Sequence, residues 1–147
     1  MMFEYRCGIK LKSTAVDATV LKLLRKHFPN TSLVELRGKI QAHDYVYLSD
    51  MLKQDGEREA VKMLREFDKA GIETELFEEN RDTPGPWKTR PLSREVLYNM
   101  LQRSRGIQRQ VLEDIERETE GYISPEAKAY IDEEMSGEEE IDRKIME

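Results

Sequence analysis

Arg81, Lys88, Arg90, Arg94, Arg103, Arg105 and Arg109 fall within one stretch that also holds Trp87 and Tyr98. Cations that follow a phosphate backbone, with aromatic faces on which bases stack, are what single-stranded nucleic-acid binding requires. Two features oppose that chemistry. The whole chain carries a net charge of −6. Its acidic C-terminal segment can occupy the basic stretch in cis, and phosphate neutralisation needs an unmasked basic face.

Catalytic and metal chemistry finds less support. His27 and His43 are the only histidines, and neither has a CxxC, HxxxH or HExxH companion that would complete a zinc site. No nucleophile elbow, phosphate-binding loop or dinucleotide fingerprint occurs. Glu138, Glu139 and Glu140 are consecutive, so a helix spreads their carboxylates around its axis, as in a solvated tail. The reading is therefore of a non-catalytic chain with no cofactor and no metal, because charge without a convergent site carries little weight.

Charge is unevenly distributed. Residues 1–80 sum to −1, residues 81–110 to +5 and residues 111–147 to −10. A basic hinge followed by an acidic tail says more about partners than the total does. Charged residues make up 37% of the chain and hydrophobic residues 38%, so the core must be thin. The single cysteine, Cys7, excludes an internal disulfide framework and suits a reducing, cytoplasmic setting. It alternates with apolar neighbours and reads as a small core residue. The first ten residues lack the apolar segment of a signal peptide. No apolar run approaches the roughly 20 residues of a membrane span.

The elements that must position these groups are clearest at residues 55–79. Asp55 reads as an N-cap, with Glu57 and Glu59 at the positive end of the helix dipole. Ala60, Val61, Leu64 and Phe67 define one apolar face. Gly71 sits where a left-handed C-cap is wanted, and Ile72 begins the alternation of a strand. Upstream, residues 3–12 alternate as a half-buried strand, with Phe3, Tyr5, Cys7, Ile9 and Leu11 on one face. Thr14 with Asp17 resembles a capping box, and the helix it opens runs to about His27. Ser32 with Glu35 opens a second helix, and residues 45–48 form a short strand. Residues 49–54 connect it to the helix after Asp55.

These elements predict an α+β class: a β-α-α-β-α-β layer of helices on a small antiparallel sheet over residues 1–79. Residues 80–91 hold three of the five prolines and read as a linker. Trp87 inside it is expected to fold back onto the protein, or to serve as an exposed anchor. Residues 92–147 form a helical extension with an acidic tail. A long helix runs from Ser93 to about Glu120, with Gly106 a candidate kink. A second begins at Ser124-Pro125 and ends at Ser136-Gly137, with Tyr130, Ile131 and Met135 facing inward. The apolar stripes of this extension are narrow, so it needs a packing partner.

Local words resemble those of a known domain. Val20-Leu21-Lys22-Leu23-Leu24-Arg25, Leu33-Val34-Glu35-Leu36-Arg37 and Lys69-Ala70-Gly71-Ile72-Glu73-Thr74-Glu75-Leu76 are similar to segments of the C-terminal domain of ribosomal stalk protein L7/L12. The resemblance covers residues 3–79, and the ClpS adaptor shares that fold. It implies a surface of basic and apolar groups on the first two helices, here Leu21, Lys22, Arg25 and Arg37, that meets a partner protein. The family's glycine-rich link between those helices is absent, and Asp17 stands where the family has a lysine.

The reading favours a protein–protein interaction or adaptor module, a platform with a helical arm. Its partner is another protein or a second copy of the chain, with no membrane involved. Leu21, Lys22, Arg25, Arg37, Trp87, Arg90, Arg94, Arg103 and Arg105 are its candidate partner-binding residues. An acidic inhibitor or immunity-type protein, using residues 111–147 to cover a basic target, is one alternative. Ribosome or RNA association through residues 81–109 is the other.

Overall fold

Strict alternation over residues 3–12 produces one of the two longest strands of the sheet. The computed structural model describes residues 2–50 and 55–147, and in it β1 spans Met2–Leu11. Helices α1 (Ala18–His27) and α2 (Leu33–Gln41) follow, then the two-residue strand β2 (Tyr47–Leu48). Helix α3 (Gly56–Lys69) leads into β3 (Thr74–Thr83), which turns back as β4 (Lys88–Pro91). The four strands form one antiparallel sheet in the order β2-β1-β3-β4. The class is α+β, as the sequence predicts. β1 and β3 pair along their whole length, from Met2 opposite Thr83 to Leu11 opposite Thr74.

Cys7, Ile9 and Leu11 from β1, Leu24 from α1, Leu36 and Ile40 from α2, and Val61, Leu64 and Phe67 from α3 are all buried. They form a single apolar layer on one side of the sheet, the arrangement expected when helices cover one face. Gly71 adopts φ 72°, the left-handed geometry predicted for the end of α3.

Three local expectations are corrected. Asp17, not Thr14, caps α1: its carboxylate accepts from the Val20 amide at 2.9 Å, and aspartate outranks threonine as a cap. Asp55 precedes α3 in a left-handed conformation, and its side chain makes no capping hydrogen bond. The expected linker at 80–91 is instead a β-hairpin. β3 continues to Thr83, and residues 88–91 pair back with residues 77–80. The prolines at 84 and 86 fall in the turn, and Pro91 lies at the end of an edge strand where a missing N–H is tolerated. The expected connection at 49–54 lies partly outside the described residues.

The chain divides into two units, Met1–Arg94 and Glu95–Glu147, so the platform extends about fifteen residues beyond the expected boundary at 79. The second unit contains α4 (Arg94–Glu120) and α5 (Pro125–Met146). α4 passes through Gly106 without interruption, and α5 passes through Gly137 to Met146, so neither glycine ends a helix. A helical glycine costs about 1 kcal/mol against alanine. Ser124 caps α5, its hydroxyl accepting from the Ala127 amide at 3.0 Å. Ile131 and Met135 are buried as expected, but Tyr130 is exposed.

Candidate functional site

Two places bring chemistry-bearing side chains together, one in each unit. The first is the sheet face opposite the apolar layer. There Glu4, Arg6, Gly8 and Lys10 of β1 lie opposite Arg81, Glu79, Phe77 and Glu75 of β3. Cross-strand pairs of opposite charge are the natural consequence of that register. Arg6 donates to Glu79 at 2.7 Å, and Arg81 donates to Glu4 at 3.1 Å. Trp87, delivered by the hairpin turn, has the Arg6 guanidinium 3.9 Å and the Arg81 guanidinium 4.3 Å from its ring centroid. Both contacts are within cation–π range. The indole therefore folds back onto the sheet and is half-buried.

Glu79 is the hub of this face. It accepts from Arg6, from the Tyr45 hydroxyl at 2.9 Å and from the Thr89 hydroxyl at 2.8 Å. Burial pushes its carboxyl upward, but the hydrogen bonds from Thr89, Arg6 and Tyr45 hold it below the usual 4.5. Tyr45 is pushed up to about 12 by burial and by its bond to Glu79. Its ring lies over Gly8, where a Cβ would come 2.5 Å from two ring carbons. A hollow of about 590 Å³ lined by Arg6, Arg81, Trp87, Glu4 and Asp50 opens beside this cluster. Its guanidiniums are already neutralised by Glu79 and Glu4, so it offers little net attraction to an anion.

The second place is the helical unit. Arg105 donates to Asp142 from Nε at 2.7 Å and from a terminal nitrogen at 3.3 Å. Arg109 donates to Asp132 at 2.6 Å. These pairs join α4 to α5 and fix an antiparallel hairpin. Four large apolar side chains are buried in this unit: Leu97, Leu101, Ile131 and Met135. More are exposed, among them Ile107 at 58%, Val111 at 51% and Ile115 at 52%. These three recur every four residues, so they form one row along α4. Isolated exposed apolar residues are ordinary, but a contiguous row is the mark of a contact face.

The predicted binding residues are dispersed by the structure. Lys22 and Arg25 on α1 and Arg37 on α2 are exposed, and Leu21 is half-buried. Arg90 pairs with Glu78 at 2.9 Å. Arg94 binds Asp68 through two nitrogens and Thr74 at 3.2 Å. Arg105 is buried on Asp142, so it is a structural residue and not a surface contact, and Arg103 is exposed. The basic stretch of the sequence is thus consumed largely by ion pairs. The row at 107, 111 and 115 belongs to the apolar periodicity of the long helix, and the structure shows it turned to solvent.

No protein-family model matches this chain, and neither does any curated protein or solved structure. Among the described residues no cluster of histidine, cysteine and acidic side chains has the makings of a metal site. No helix among them is long and apolar enough to cross a membrane.

Proposed function

We propose that the chain is a non-catalytic protein-interaction module, in which the α+β unit is a platform and the α4–α5 hairpin is the binding arm. The observation that carries this reading is the exposed row Ile107, Val111 and Ile115 on a unit that buries few large apolar side chains of its own. Covering such a row removes apolar area from water, worth about 25 cal/mol per Å². The arginines that would serve a nucleic-acid reading are engaged with carboxylates: Arg81 with Glu4, Arg90 with Glu78, Arg94 with Asp68, Arg105 with Asp142 and Arg109 with Asp132. That supports a protein partner over a phosphate backbone. The platform presents a second surface, with Lys22 and Arg25 exposed on α1 and Val34 and Arg37 exposed on α2, each pair at helix-face spacing. We place the module in the cytoplasm, where the lone thiol, buried and pushed up by desolvation, stays reduced.

The test is site-specific photo-cross-linking of the full chain in cells, with the reactive side chain at Ile115 or, as a control, at Lys62 on α3. Protein adducts are expected from position 115 and not from position 62. An absence of adducts at 115 would overturn the reading.

A further inference from the structure

The exposed row on α4 is symmetric in sequence about Val111. Ser104, Ile107, Val111, Ile115 and Glu118, of which Ser104 is half-buried and the others exposed, follow one another at spacings of three, four, four and three. Reversing the chain direction reproduces the same spacings. A helix face with this property is complementary to a copy of itself running antiparallel, with a two-fold axis through Val111. In that arrangement Ile107 meets the second copy's Ile115 and Val111 meets its own equivalent. A surface that pairs residue i with j and j with i is the definition of an isologous contact.

Charge follows the same symmetry. Up to residue 109, α4 carries Arg94, Arg103, Arg105 and Arg109 against a single acid, Glu95; Arg94, Arg105 and Arg109 are bound to Asp68, Asp142 and Asp132 of their own chain, and Arg103 is exposed. From residue 110 onward it carries Glu113, Asp114, Glu116, Glu118 and Glu120 against a single base, Arg117. Antiparallel pairing brings the exposed Arg103 of one copy toward the acidic half of the other. Parallel pairing would set like on like, which is disfavoured. Arg103 and Glu118 flank the apolar row at nearly equal distances from Val111, and both are exposed. They are fifteen residues apart, about 22 Å along one helix, so they cannot meet within a chain.

We infer that the partner of the α4 face is a second copy of this chain, docked antiparallel with Val111 on the two-fold axis. This rests on the reading of the hairpin as a binding arm and names what it binds. The test is disulfide trapping in the full chain with sedimentation velocity of the unsubstituted protein. Cys7 is buried and does not compete. Val111→Cys is expected to give a linked dimer under mild oxidation. Ile107→Cys is expected not to link to itself, because its two copies lie about 12 Å apart along the axis, beyond the Cα separation of about 4.4–6.8 Å that a disulfide spans. Ile107→Cys mixed with Ile115→Cys is expected to link. Self-linking at 107 in preference to 111 would overturn the antiparallel arrangement. A monomer at every concentration would overturn self-association. In that case a cross-link from position 115 to a different protein leaves the interaction module standing, and the absence of any cross-link removes both.

Discussion

Arg105 of α4 and Asp142 of α5 face each other with side chains only 6% exposed, joined by hydrogen bonds of 2.7 and 3.3 Å. A third bond, from Arg105 to Gln108 at 3.1 Å, occupies another guanidinium donor. This pair closes the open end of the helical hairpin and explains why α5 runs on past Gly137.

Removing one partner of such a pair leaves a buried charge without its counterion, at about 3–5 kcal/mol. Asp142→Asn is therefore expected to destabilise the helical unit strongly. Arg105→Met with Asp142→Leu, which removes both charges, is expected to lie near the wild type or above it. Chemical denaturation of the three chains checks this. Equal losses in the single and double variants would contradict the pairing.

Gly8 is the position on β1 where the Tyr45 ring crosses the sheet. Gly8→Ala is expected to cost about 1–3 kcal/mol through overpacking and to displace Tyr45 from Glu79. The second effect can be read separately, because a Tyr45 hydroxyl released from Glu79 would titrate below its present value of about 12. An alanine variant of unchanged stability and unchanged tyrosine titration would show that the ring does not depend on the glycine.

Acid sensitivity follows from two carboxylates, Glu66 on α3 and Glu79 on the sheet face. For Glu66, burial acts upward, but the hydrogen bond and charge of His27, followed by those of Lys26, hold the carboxyl below 4.5. Glu79 is held low by Thr89, Arg6 and Tyr45 against the upward push of burial. A carboxylate whose folded pKa is depressed contributes stability that is present above the unfolded value, near 4.5. That stability is lost as pH falls through the lower folded value. Unfolding free energy should thus decline on acidification below about pH 4.5. Glu79→Gln should lower stability at pH 7 and flatten the acid limb. Parallel curves for the two chains would contradict this.

Much of the fold is legible in the sequence because its signals are local. The alternation of β1, the caps Ser32 and Ser124, and the glycine at 71 each act within a few residues. The hairpin at 80–91 was hidden because three prolines read as a linker, and only the pairing of Glu79 with Thr89 and Glu78 with Arg90 shows them to frame a turn. The fate of Arg105 was equally out of reach. Its partner lies thirty-seven residues away, and nothing in the sequence separates a buried arginine from an exposed one. The row around Val111 was visible as periodicity, but periodicity does not say whether an apolar face is turned toward the protein or away from it.

Charge reversal tests the rim of the inferred dimer. Arg103→Glu and Glu118→Arg are each expected to weaken association about two- to thirtyfold, because the two-fold axis makes the pair twice and each exposed pair is worth about 0.2–1 kcal/mol. The double reversal is expected to restore it. Sedimentation at low salt, where screening is weakest, reads this most clearly. A double variant weaker than either single one would place the two residues apart.

The most direct measurement is sedimentation equilibrium of the intact chain beside Val111→Asp, with circular dichroism to verify that both are folded. Self-pairing through Val111 requires the wild type to approach twice its 17.3 kDa. It also requires Val111→Asp to remain at the single-chain mass, its affinity reduced at least roughly a hundredfold by two like charges set face to face. Equal masses for the two chains, whether both single or both double, would contradict it.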